Sequence, residues 1–196
     1  MRQQAAMLSA AERGTSLPKS SLGERTLMDW PDQVFATLKD ADIRQVGYVP
    51  DAGHSRLIQR AHDDPAMRAV VLTTEEEGIA LAAGAWLGGQ RAVLLMQSSG
   101  VGNCINMLSL PQNCRLPFLT LVTMRGEWAE FNPWQVPMGS ATPGVLAAMG
   151  VHVYRAQRAE EAAEMVSAAA TLAFDSHVAV AVLFSQRMIG AKKWVK

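Results

Sequence analysis

Four groups of side chains in this sequence have types and spacings that could do chemistry. Three consecutive carboxylates, Glu75, Glu76 and Glu77, stand directly before an apolar segment. Gln97-Ser98-Ser99-Gly100-Val101-Gly102-Asn103 follows an apolar run and sets amide and hydroxyl groups beside two glycines, where a backbone can approach a ring closely. Asp51 and His54 share a Pro-Asp-Ala-Gly-His turn, and Arg125 lies in a stretch rich in Trp and Glu. A carboxylate aimed at an apolar interior can hold or transfer a proton, but an unpaired charge there costs several kcal/mol, so it needs a partner or a raised pKa. An arginine offers a fork of donors suited to a sulfonate, phosphonate or carboxylate.

The elements that must position these groups follow from local pattern. Thr74 reads as a helix N-cap with Glu77 three residues on, a capping box, and carboxylates in a first turn are favoured by the helix dipole. Gly78 to Gly89 contains no charged or strongly polar side chain over twelve residues, too few to span a bilayer. Its expected inner stripe is Ile79, Ala82, Ala83, Trp86 and Leu87; one turn back, the stripe reaches Glu75 and Glu76. Such a helix is expected to be buried on nearly every side.

Residues 1-26 read as a leader without sustained periodicity, and 27-196 as one domain. A helix is expected from Asp29, with Pro31 in its first turn and Val34, Phe35 and Leu38 at helical spacing. Strands are expected at Arg44–Val49, Met67–Leu72, Ala92–Met96, Pro117–Thr123, Val151–Tyr154 and Val178–Phe184. Helices are expected at Ser55–His62, Asn103–Gln112, Thr142–Met149 and Ala159–Phe174. Met124 to Gly139 reads as a long loop, and Arg187 to Lys196 as a basic tail with Trp194. Strands alternating with helices predict an α/β, doubly wound, mainly parallel six-stranded sheet with helices on both faces. In such a sheet the turns at Asp51, Glu75 and Gln97–Asn103 open at one carboxyl edge, where ligands bind.

Composition narrows the function classes. Eighteen basic and eighteen acidic residues balance, so nothing favours nucleic acid or an anionic membrane. No apolar run reaches membrane-spanning length and no signal-peptide core is present, so a cytoplasmic protein is expected. Cys104 and Cys114 lack a CxxC or His-rich companion, so reduced thiols are expected. An apolar content of 49%, with helices apolar all round, predicts a homo- or hetero-oligomer.

Glu75-Glu76-Glu77-Gly78-Ile79-Ala80-Leu81-Ala82-Ala83-Gly84-Ala85-Trp86-Leu87 resembles the glutamate helix of the pyrimidine-binding (Pyr) domain of thiamine-diphosphate enzymes. Gln97 through Asn106, and Met124-Arg125-Gly126-Glu127 through Pro137-Met138-Gly139, resemble more narrowly the sulfopyruvate and phosphonopyruvate decarboxylases. The resemblance covers roughly Thr26 to Lys193. It implies that Glu75, nine residues before Gly84, bonds the N1′ nitrogen of the cofactor's aminopyrimidine and serves the proton relay. It further implies cofactor contacts from Gln97, Ser98, Gly100, Gly102 and Asn103, and substrate contacts from Asp51, His54, Gln97 and Arg125. Complete enzymes of this kind hold the diphosphate through Mg2+, using a Gly-Asp-Gly motif and a later Asn on a second domain. This sequence has no Gly-Asp-Gly, so a β-type partner subunit is expected to carry the metal ligands. The implied activity is that of an α subunit acting on sulfopyruvate, with phosphonopyruvate or another 2-oxo acid as the alternative.

Other readings stay open at this stage. Glu75 can be helix-terminus charge alone, Asn103 a helix cap, Asp51 a plain turn residue, His54 a surface histidine and Arg125 a solvated loop residue. Gly100-Val101-Gly102 after a strand also suits a nucleotide-binding Rossmann module, although the third glycine is missing. A non-catalytic Pyr-type partner subunit is the remaining class.

Overall fold

A computed structural model of the chain describes residues 29–191. The expected leader over 1-26 and Trp194 lie outside the described residues. Helix α1 (Trp30–Asp40) precedes β1 (Ile43–Tyr48), and a 3₁₀ turn at Ala52–His54 runs into α2 (Ser55–Asp63) and β2 (Arg68–Val71). Then follow α3 (Glu75–Leu87), β3 (Arg91–Gln97), α4 (Ser98–Cys104), α5 (Ser109–Cys114) and β4 (Phe118–Thr123). A second 3₁₀ turn at Pro133–Gln135 leads to α6 (Val136–Ala148), β5 (His152–Ala156), α7 (Ala159–Ser176), β6 (Ala179–Phe184) and α8 (Gln186–Ile189).

The six strands form one sheet in the order β2-β1-β3-β4-β6-β5, every neighbouring pair parallel. From β1 the chain steps outward to β2 and then crosses to β3 on the other side of β1. The strand order therefore reverses between β1 and β3, which opens a crevice at their carboxyl ends. Steps in one direction carry α2 and α7 on one face, and steps in the other carry α3, α4, α5 and α6 on the opposite face, as right-handed crossovers require.

Period-two alternation supplies both cores. Val93, Leu95, Leu119, Leu121, Val180 and Val182 meet Val34, Leu38, Leu57 and Val166 on one face. Leu94, Met96, Phe118, Val122, Ala181 and Leu183 meet Ile79, Cys104 and Leu146 on the other. Every residue of β4 and β6 is buried. Each fully buried aliphatic side chain stabilises by roughly 1.5–3 kcal/mol, so these central strands hold the exits beside them rigidly.

The strands lie within two residues of their expected bounds, but several local expectations need correction. The segment after β3 is no glycine turn: it is helical from Ser98, and α4 and α5 replace the single helix expected at Asn103–Gln112. Helix α6 begins at Val136, because Pro137 sits in the first turn, where its missing N–H costs nothing. The loop before it is correspondingly shorter than Met124–Gly139. Thr74 makes no side-chain cap bond; instead the Glu77 carboxylate accepts the Thr73 N–H at 2.9 Å. Nor is α3 covered all round. Leu87 is 78% exposed, Ala80 and Gly84 are exposed with it, and Trp86 turns toward Phe174 across the first core. No helix among the described residues is long and apolar enough to cross a membrane.

Candidate active site

Glu75 opens α3 directly beyond β2, in the first turn, where the helix dipole favours its charge. Its half-buried side chain lies on α4. A Cβ built on Gly100 would stand 2.3 Å from both Cδ and Oε1 of Glu75, so only glycine leaves room for the carboxylate. One helical turn on, on the same face, the Asn103 amide donates from Nδ2 to Glu75 Oε2 at 2.9 Å. Oε1 accepts no hydrogen bond from the described residues. Glu76 and Glu77 are exposed. Beneath the notch, Cys104 is fully buried, and burial first, then the charges of Glu75 and Glu76, push its thiol up to about 12. Gly102 points the other way, toward Met138 Sδ, 3.2 Å from where its Cβ would be. It shapes α4 and does not join the Glu75 notch.

A second cluster ties the exits of β1, β3 and β4 together. Asp51 Oδ1 accepts the Gln97 amide at 2.9 Å, and Oδ2 accepts the Thr123 hydroxyl at 2.6 Å. The other end of Gln97, its Oε1, accepts the Ser99 hydroxyl at 3.0 Å. Burial pushes the Asp51 pKa upward, but the Thr123 hydroxyl and the Gln97 amide, both donating to its carboxylate, help to hold it below the ordinary carboxylate value. Asp51, Gly53, Thr123, Arg125, Ile189 and Ala191 are among the residues that line a cavity of about 210 Å³. That is less than the roughly 300–1,000 Å³ of a complete small-molecule site, as expected of a wall that another surface completes.

Two expected contacts lie elsewhere. His54 is 1% exposed and packs edge-on to Phe184, with Nε2 3.1 Å from the Leu121 carbonyl oxygen. Burial lowers its pKa, so it stays neutral beneath the cavity and does not line it. Ser98 is also buried; its hydroxyl accepts the Arg125 backbone N–H at 3.0 Å and so joins two strand exits. The alternative reading of Asn103 as a helix cap does not hold, since it sits inside α4 with its amide on Glu75.

Arg125 borders the cavity, but its fork is occupied. Nε and Nη2 donate to the two oxygens of Glu130 at 2.7 and 2.5 Å, and Phe131 lies 5.8 Å from the guanidinium. That pairing, against the opposing effect of burial, and bonds from the N–H groups of Asn132 and Gly126 hold Glu130 at about 2. Gln186 completes the network. Its amide donates to Glu130 at 2.9 Å, and its oxygen accepts the N–H groups of Glu127 and Trp128. Glu127 in turn accepts from Arg155 and from the Gln186 N–H. Gly126, at φ +79°, closes this turn where a Cβ would lie 2.1 Å from the Gln135 carbonyl oxygen. Among the described residues no group of three or more His, Cys, Asp or Glu could hold a metal ion.

Sequence reasoning passed over Thr123, Glu130 and Gln186. The position of Thr123 at the end of a strand beside Asp51's turn was a usable signal. The pairing of Glu130 with Arg125 and Gln186 follows no periodicity.

No family model matches the chain. It is 36% identical over 157 residues to the sulfopyruvate decarboxylase subunit alpha of Methanothermobacter thermautotrophicus, covering 80% of this chain and 95% of that one. It is 32% identical to the subunit of the same name from Methanococcus maripaludis, over 80% and 94%. Phosphonopyruvate decarboxylase of Streptomyces viridochromogenes is 39% identical over 115 residues, 58% of this chain and 29% of that one. Among solved structures, 2-oxoglutarate:ferredoxin oxidoreductase from Magnetococcus marinus is similar with a TM-score of 0.68 and 16% identity, over 83% of this chain and 29% of that one, a likeness of fold alone. Its kinship with two α subunits over nearly their whole length establishes that this chain belongs to the sulfopyruvate decarboxylase α-subunit family.

Proposed function

We propose that the chain is the pyrimidine-binding half of a thiamine-diphosphate-dependent decarboxylase that converts sulfopyruvate to sulfoacetaldehyde and carbon dioxide. The observation that carries this reading is the Glu75 carboxylate, seated on Gly100 with Oε2 held by Asn103 and Oε1 left for an incoming donor. When bound, the cofactor supplies the electron sink for the bond to the departing carboxylate. Glu75 Oε1 would hold the proton shared with the aminopyrimidine N1′, while Asn103 fixes the carboxylate's rotation and Gly100, having no side chain, leaves the carboxylate its seat. Gln97 and Asp51, at the β1/β3 reversal, face the reacting carbonyl end.

The diphosphate and its Mg2+ are assigned to a β-type partner subunit. The exposed apolar strip of α3, Ala80, Gly84 and Leu87, supports a partner seated beside the Glu75 notch. Because Glu130 offsets the charge of Arg125, Arg125 contributes a wall of the substrate cavity. A cation for the substrate's anionic tail is then expected from the partner.

Co-expression with the β-type subunit, followed by assay of carbon dioxide release with thiamine diphosphate and Mg2+, tests this. Turnover of sulfopyruvate is expected, with phosphonopyruvate as the competing substrate. Glu75→Gln should lose about 10²–10⁴-fold, the usual contribution of a positioned proton-transfer group. Turnover of neither acid would point to a non-catalytic partner subunit.

A further inference from the structure

Asp51 stands at the head of a 3₁₀ turn, where an aspartate ordinarily caps backbone N–H groups, yet its side chain makes no cap bond. Both oxygens turn across the sheet instead, one to β3 through Gln97 and one to the last residue of β4, Thr123. Thr123 is 1% exposed. Its methyl group lies where a Cβ on Gly53 would come within 2.7 Å, and β-branching restricts χ1 of a side chain so packed. The hydroxyl therefore points steadily at Asp51, at the 2.6 Å typical of a bond to an ionised acceptor.

We propose that Thr123 is a positioning residue for the decarboxylation, its hydroxyl acting with the Gln97 amide to hold the Asp51 carboxylate in one orientation on the cavity wall, so that Asp51 meets the substrate as an anion. What Asp51 meets rests on the proposed function; how it is held is a property of this chain alone. The charged neighbours are few. His54 on the same turn is buried and neutral, Arg125 at the β4 exit is tied to Glu130, Gln97 on β3 carries no charge, and Ile189 to Ala191, which also line the cavity, carry none. The lowered pKa of Asp51 agrees with this arrangement.

The test is the titration of Asp51 followed by carboxyl ¹³C NMR in the full chain, assigned with Asp51→Asn, in the parent, Thr123→Val and Thr123→Ser. Valine keeps the shape and removes the hydroxyl, so the Asp51 midpoint should rise by about one pH unit, whereas serine should restore it. In the assembled enzyme the acid limb of kcat/KM should move upward by the same amount in Thr123→Val only. Should Thr123→Val not fold, Gln97→Met removes the other donor and is expected to shift the midpoint in the same direction. An unchanged Asp51 midpoint overturns the positioning. A shifted midpoint with an unmoved acid limb overturns the role of Asp51 toward substrate. Absence of turnover in the parent complex would count against the decarboxylase reading and leave the NMR result standing.

Discussion

In a Gly100→Ala chain the added methyl carbon would fall 2.3 Å from Cδ and Oε1 of Glu75, more than an ångström inside ordinary contact. The backbone at Gly100 is helical with ordinary φ, so the backbone itself resists nothing. Alanine is favoured over glycine in a helix interior by about 1 kcal/mol. The carboxylate yields, because it ends a side chain that can swing outward. Stability should therefore hold or rise slightly, by at most about 2–4 °C in melting temperature for a chain of this size. Catalysis should not hold, since a displacement of about 1 Å at a reacting group can cost about 10²-fold, equivalent to roughly 2.7 kcal/mol in the barrier. Thermal unfolding of the chain by circular dichroism and carbon dioxide release by the assembled enzyme measure the two halves separately. A Gly100→Ala/Glu75→Gln chain should lose no more activity than Glu75→Gln alone, because both changes disable one contact. Parental turnover in Gly100→Ala, or a double variant whose losses add in full, would refute the reasoning.

Arg125→Met removes the partner of a carboxylate that is 3% exposed. Stranding a buried charge costs about 3–5 kcal/mol, so urea unfolding should show a destabilisation of that order, larger than for Arg125→Met/Glu130→Gln. Acid should weaken the fold in two stages. His54 has a lowered pKa when folded, so its contribution is present above about 6.5 and is lost as pH falls through the folded value. Glu130, about 2 when folded against 4.5 ordinarily, contributes about 3 kcal/mol that fades between those two values; stability measured against pH with Glu130→Gln and His54→Phe controls separates the stages. Of the two free cysteines, exposed Cys114 should react with an aromatic disulfide at pH 8, and Cys104, buried and near 12, only after unfolding.

The sheet was legible because β4 and β6 are nearly continuous apolar runs, which in an α/β chain mark strands covered on both faces. The stripe from Ile79 to Ala83 extends back one turn onto both Glu75 and Glu76, and in the fold Glu75 is half-buried while Glu76 is exposed. Other parts were not legible. Glycines at 100 and 102 read as turn punctuation, whereas in the fold they admit Glu75 and Met138 onto the sides of a helix. Pro137 fell in the stretch read as a long loop, although it sits in the first turn of α6. Leu87 and Trp86 fit the inner stripe by phase, but one ends exposed and the other wraps around to Phe174, which depends on where α7 lies. Arg125 carried a fork fit for an anion, and the anion it found is Glu130, five residues away in a turn that no period describes.

The most direct measurement of Glu75's role is the exchange of the C2 proton of thiamine diphosphate in the assembled enzyme, followed by proton NMR after rapid dilution into deuterium oxide. If Glu75 Oε1 serves the aminopyrimidine, exchange should be fast in the parent and slower by about 10²-fold or more in Glu75→Gln, with cofactor still bound. Equal exchange rates in the two enzymes would contradict the assignment of Glu75.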